Sequence, residues 1–196
     1  MRNIAVVFLA VSLLFLAGCA SKPSQELTAA QTAVESARTA EADIYSAESY
    51  QAAADALKSA EAEIAAQEQK SSLSRNYDKA KELLAKAKSE AETAATTAAT
   101  NKEKVKGEAQ TAETDAQTAI DSAKAALSKA PKGKGTKADL DALAADLTAA
   151  EGALGQAKTA FQAGKYMDAL NQFKSVKEKA ATVSTDIEQA MQKKKK

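Results

Sequence analysis

Leu140, Leu147, Leu154 and Phe161 stand seven residues apart, and Leu143, Ala150 and Ala157 fill the same stripe between them. A seven-residue apolar repeat keeps one face of an α-helix turned toward a neighbour, whereas in a strand the same residues would fall on alternate sides. Tyr50, Leu57 and Ile64, with Ala53 and Ala60 between them, show the same spacing earlier in the chain. Pro23 and Pro131 are the only prolines, so the long stretches between them lack the residue that most strongly breaks a helix. The chain is therefore expected to be all-α, with elongated antiparallel helical hairpins or a helical bundle joined along coiled-coil-like seams.

The remaining segments follow the same logic. Leu27, Ala30, Val34, Ala37, Glu41 and Ile44 step by three and four, which predicts a first helix with Ser24 as its N-cap. The string KSSLSRN at 70–76 is the first clear interruption. Tyr77, Ala80, Leu84, Ala87, Ala91, Ala94 and Ala98 then share a face, and Ile120 and Leu127 restore a stronger stripe after an Ala/Thr-rich middle. A helix from Tyr77 to Lys129 would be about 80 Å long at 1.5 Å per residue. Gly107 is its expected weak point, costing about 1 kcal/mol against alanine. The string APKGKGT at 130–136 is the sharpest break, and QAGK at 162–165 reads as a tight turn with Gly164 left-handed. A last helix carries Tyr166, Ala169, Leu170, Phe173, Val176, Ala180, Val183, Ile187 and Ala190. So much of the interior is alanine that the core is expected to be thin, because small side chains bury little area.

These segments repeat. A shift of about 90 residues lays Tyr50, Leu57 and Ile64 on Leu140, Leu147 and Leu154. With one residue gapped in the turn, Tyr77 and Ala80 fall on Tyr166 and Ala169. An internal duplication is expected, each copy needing its neighbours to bury its apolar faces. The step from Gly164 through Lys165 and Tyr166 to Ala169 resembles one turn of a tetratricopeptide repeat, whose full pattern is absent. The helical part as a whole resembles a group of Ala-rich helical lipoproteins and periplasmic repeats that carries no settled activity.

The N-terminus supplies the strongest motif. Met1, Arg2 and Asn3 precede about 14 residues, 4–17, that are apolar apart from Ser12. Such a run is too short to span a membrane, which takes about 20 residues, but suits a secretory leader. It ends in Leu16, Ala17, Gly18 and Cys19, and Cys19 is the only cysteine. This string resembles the bacterial lipobox cut by signal peptidase II. The resemblance implies a diacylglyceryl group on the Cys19 sulfur, removal of the leader and an acyl chain, such as palmitate, on the new amino terminus. Ala20, where aspartate would signal retention, implies the periplasmic face of the outer membrane in a Gram-negative cell, or the exterior of the cell membrane in a Gram-positive one. The expected organisation is a signal peptide at 1–18, a lipidated cysteine and linker at 19–25, a first helical repeat with a connecting helix at 26–115, a second repeat at 116–192 and a basic tail at 193–196.

No catalytic constellation stands out, and acid–base or metal work would have to come from carboxylates. There is no histidine, and the lipobox resemblance implies that Cys19 is committed to lipid. The Glu-x-x-His pairs that hold metals in helical bundles therefore cannot form. Glu61 with Glu63, and Asp139 with Asp141, read as solvated helix faces. KGKGTK at 132–137 lacks the spacing and preceding strand of a phosphate loop and reads as a linker. Tyr45, Tyr50, Tyr77 and Tyr166 read as packing or turn anchors. With 27 basic and 26 acidic residues, no basic excess points to nucleic acid. The expectation is a protein without catalytic, metal or cofactor sites.

Lys193, Lys194, Lys195 and Lys196 close the chain. A lipobox, helical heptads and a C-terminal lysine together resemble the murein lipoproteins, whose last lysine is joined to peptidoglycan. Carried across, Lys196 would be the attachment point. Those proteins are much shorter and end in an aromatic-basic motif, which leaves a plain solvated tail, or a salt-sensitive contact of the four lysines with peptidoglycan, lipid phosphate or an acidic partner, as the other outcomes. The leading expectation is a non-enzymatic envelope lipoprotein, a spacer or adaptor between the membrane and peptidoglycan or a protein partner, with helix faces also open to self-association. Two rivals stand beside it. Residues 90–117, rich in Ala, Thr, Lys and Glu, resemble late-embryogenesis-abundant protectants, and a helix-in-groove accessory of an envelope machine would use similar faces.

Overall fold

The computed structural model describes residues 21–130 and 137–193, with Lys193 described by its backbone alone. Among the described residues there are six α-helices and no strand. They are α1 (Ser24–Thr39), α2 (Ala42–Tyr45), α3 (Ala47–Glu68), α4 (Asp78–Lys129), α5 (Lys137–Gln162) and α6 (Tyr166–Lys193), with a 3-10 turn at Ser72–Ser74. The protein is an all-α assembly of packed helices, as the heptads predict. It divides into two compact units, Met1–Ala99 and Thr100–Lys196, with the division inside α4.

In the first unit, Ala30 of α1, Ala56, Ala60 and Ile64 of α3, and Tyr77, Ala80, Leu84 and Ala87 around the start of α4 form one apolar cluster. Polar contacts give the helix directions. Lys22 pairs with Glu68 at 2.8 Å and Gln31 donates to Glu61 at 2.9 Å, so α1 rises as α3 descends. Lys79 pairs with Glu63 at 2.9 Å, so α4 runs back along α3. The order is up, down, up.

The second unit has the same order. Lys124 pairs with Glu151, and Lys158 pairs with Glu113 at 3.5 Å, making α5 antiparallel to the C-terminal half of α4. Lys177 pairs with Asp115 at 2.9 Å, and Lys106 lies over the Tyr166 ring, so α6 runs parallel to α4. Residues 163–165 close the α5–α6 hairpin, and Gly164 at φ 78° supplies the expected left-handed position.

The buried register repeats between the units. Ala80, Leu84, Ala87, Ala91, Ala94 and Ala98 are buried on α4, and Ala169, Phe173, Val176, Ala180, Val183 and Ile187, each 89 positions later, are buried on α6. Ala60, Ile64 and Gln67 of α3 correspond at 90 to Ala150, Leu154 and Ala157 of α5, all buried. The second unit holds the bulkier residues at the α6 positions, and the alanine stripe of the first allows close approach in their place.

Several local features depart from the sequence pattern. Ser24 is the first residue of α1, not its cap: the preceding position is Pro23, with no side-chain cap. Continuity through 43–48, which the sequence pattern leaves open, is absent: the chain breaks at 40–41 and again at Ser46. Glu41 is left-handed at φ 59° and ends α1, and Ser46 separates α2 from α3. The break re-phases the chain, so Ile44, expected on the seam, is 51% exposed, while Ala42 and Tyr45 are buried. Gly107 does not interrupt α4, which runs unbroken for 52 residues. The expected break at 130–136 lies outside the described residues apart from Ala130, which follows the end of α4 and is buried.

Candidate functional site

The expected anchor motif, Leu16, Ala17, Gly18 and Cys19, lies outside the described residues, as do Lys194, Lys195 and Lys196 and the side chain of Lys193. The chain comes into view beside the C-terminal end of α3. Pro23 is buried, its carbonyl accepts the Leu27 N–H at 3.0 Å, and Lys22 holds Glu68.

The α3–α4 connection beside it is a stitched turn. Gln67 is 6% exposed. Its Nε2 donates to Glu63 at 2.7 Å, and its Oε1 accepts the Asn76 N–H at 3.1 Å. A carboxylate acceptor on one side and an N–H donor on the other fix the amide orientation. Asn76 Oδ1 accepts the Asp78 N–H at 2.7 Å, an Asx turn that satisfies one of the free donors at the start of α4. Arg75 donates to the carbonyls of Lys70 and Glu68, each at 3.1 Å, which satisfies backbone acceptors at and just beyond the end of α3 and sets a cation at its negative pole. Ser71 and Ser74 are joined through their hydroxyls at 2.8 Å. With this backbone tied down, Leu73 at the middle of the 3-10 turn is 93% exposed.

The expected carboxylate pairs are engaged separately. Glu61 accepts from Gln31, and Glu63 from Gln67 and Lys79. Asp141 pairs with Lys137 at 2.5 Å, and Asp139 is exposed at the start of α5. The Gln67 amide, then Lys79, hold the Glu63 carboxyl below its usual range, and Arg38 does the same for Glu35. A general acid working near neutrality needs displacement in the opposite direction. Among the described residues no group of Asp, Glu, His or Cys could hold a metal ion.

The four tyrosines divide between the units, with Tyr45, Tyr50 and Tyr77 in the first and Tyr166 in the second. Tyr45 and Tyr77 are buried in the first unit, and Tyr50 is half-buried on α3. Tyr166 packs against Phe161 with ring centroids 5.1 Å apart. The ammonium groups of Lys106 and Lys102 lie 5.6 and 6.0 Å from its centroid, within cation–π reach. Tyr77 thus packs in the first unit's core, and Tyr166 stands as an aromatic anchor at the α5–α6 turn. An open groove of ≈ 530 Å³ between α5 and α6 has Asp146, Glu178, Lys179 and Asp186 along its walls.

No family model, curated protein or solved structure matches this chain. No helix among the described residues is long and apolar enough to cross a membrane. Sequence reasoning passed over Gln67 and Leu73. Gln67 lies three residues beyond Ile64 on the same stripe, and Asn76 just before Tyr77–Asp78 is a residue type that forms Asx turns, so two parts of the stitched turn were within reach of the pattern.

Proposed function

We propose that this protein is a non-enzymatic envelope lipoprotein, a helical spacer or adaptor held to a membrane through lipid on Cys19 and meeting peptidoglycan or a protein partner through its helix faces or its C-terminal lysines. The observation that carries the reading is the leader ending in Leu16, Ala17 and Gly18 before the single Cys19. The all-helical body supports it, because packed antiparallel helices suit a spacer or adaptor. Ala20 favours the periplasmic face of an outer membrane. Two or three acyl chains on one residue make the attachment stable, where a single chain binds only marginally.

The test begins with metabolic labelling by palmitate. Wild type takes up label and Cys19→Ser takes up none; a labelled Cys19→Ser protein would end the anchor assignment. The far end is read on cell-wall sacculi boiled in detergent and blotted before and after lysozyme. Release only by lysozyme, lost when Lys196 is deleted, identifies a covalent tether. Full extraction by detergent removes the covalent tether and leaves Lys193, Lys194, Lys195 and Lys196 as a solvated tail or a non-covalent contact.

A further inference from the structure

We propose that the 3-10 turn at Ser72–Ser74 is a second membrane contact, with Leu73 entering the lipid surface to which Cys19 is anchored; this rests on the lipoprotein reading above. A leucine 93% exposed is unusual in a chain whose other exposed large apolar side chain among the described residues, Ile44, is only 51% exposed. Its backbone is not loose. Ser74 donates its N–H to the Ser71 carbonyl at 2.9 Å, the two serine hydroxyls meet, and Arg75 ties the turn to the end of α3. The side chain is thus held away from the protein by a built turn.

The covalent path from the anchor identifies the occupant. Three residue steps separate Cys19 from Lys22, and an extended chain covers at most about 11 Å in three steps. Lys22 is held to Glu68 at 2.8 Å, and Pro23 is buried just after it. Glu68 ends α3, so the connection bearing Leu73 starts one residue beyond the group that fixes the entering chain. A lipid on Cys19 therefore brings the membrane surface to the end of the first unit where Leu73 projects. Lys70, exposed beside it, suits anionic headgroups, and an apolar side chain in the interface needs to enter only about 5–10 Å.

The experiment uses the full-length protein carrying Leu73→Cys, purified from membranes and reconstituted into phosphatidylethanolamine/phosphatidylglycerol vesicles. With the Cys19 sulfur carrying its diacylglyceryl group, the introduced thiol is the only one free, and it takes an environment-sensitive fluorophore. Glu48→Cys is the control, an exposed position in the first turn of α3, 20 residues and so about 30 Å of helix from Glu68. The expected result is quenching at 73 by a spin label on a shallow acyl carbon and protection from aqueous iodide, with the reverse at 48. Equal iodide quenching at both positions and no lipid quenching, in protein that still floats with the vesicles and carries palmitate, overturns the contact and leaves the anchor standing. Protection from iodide without lipid quenching shows a protein surface over the turn and also overturns it. Loss of flotation and palmitate removes the anchor and this inference with it.

Discussion

Gln67 is the side chain on which the end of α3 and the start of α4 depend. It is buried with both ends of its amide engaged, toward Glu63 and the Asn76 backbone. Gln67→Ala removes both hydrogen bonds and leaves a donor short of its partner, at an expected cost of about 1–2 kcal/mol, read as a lower urea midpoint. The same contact gives a pH dependence. Glu63 has its pKa lowered in the folded protein by Gln67 first and Lys79 second. Its contribution to stability is therefore present above the ordinary carboxylate pKa and is lost as pH falls through the lowered folded value. Wild type and Glu63→Gln are expected to differ in urea midpoint at neutral pH and to converge in acid. A difference of equal size at both pH values would remove this carboxylate from the account.

At the scale of the element, two glycines predict opposite outcomes for one substitution. Gly164 closes the α5–α6 hairpin at φ 78°, a conformation costing an L-residue about 1–2 kcal/mol, so Gly164→Ala lowers the melting temperature. Gly107 lies exposed inside α4 with nothing within 4 Å of an added Cβ. Gly107→Ala recovers helix propensity of about 0.8–1.0 kcal/mol and raises the melting temperature. Truncation costs more at the equivalent core positions Leu84 and Phe173, which are 1% and 0% exposed. Leu84→Ala is expected to cost about 2–5 kcal/mol and Phe173→Ala about 3–5 kcal/mol, measured by urea unfolding. A cost near zero at Leu84 would mean that its alanine-lined surroundings collapse to fill the space.

Over the whole chain, each unit has three long helices in up-down-up order with the same buried register, the first unit also carrying the short α2, and α4 supplies the last helix of the first and the first helix of the second. Residues 90–117, which resemble desiccation protectants in composition, lie within α4 and contribute Ala91, Ala94, Ala98, Ala109, Ala112 and Ala116 to buried faces. The protein is therefore expected to give a strongly helical circular dichroism spectrum in dilute buffer, a cooperative melt and little gain in helix on drying. A coil spectrum that turns helical only when dried would favour the protectant reading, in which too little apolar surface is buried to order the hydrated chain.

The all-α class, the α5 seam through Leu140, Leu147 and Leu154, the left-handed Gly164 and the 90-residue echo between halves were determined by the sequence alone. All are matters of local propensity and of the phase of side chains around one helix, which spacing records directly. The partnering of stripes was decided only by tertiary structure. The left-handed Glu41 re-phased the chain so that Tyr45, not Ile44, entered the core, since a break of one or two residues rotates everything after it and leaves no apolar signature. The alanine stripe of α4 is too weak a pattern to distinguish a buried face from a solvated one until α1 and α3 lie against it. Gln67 inside and Leu73 outside invert what polarity predicts, because the Glu63 carboxylate and the Asn76 amide satisfy the first and the stitched turn leaves the second nothing of its own chain to cover it.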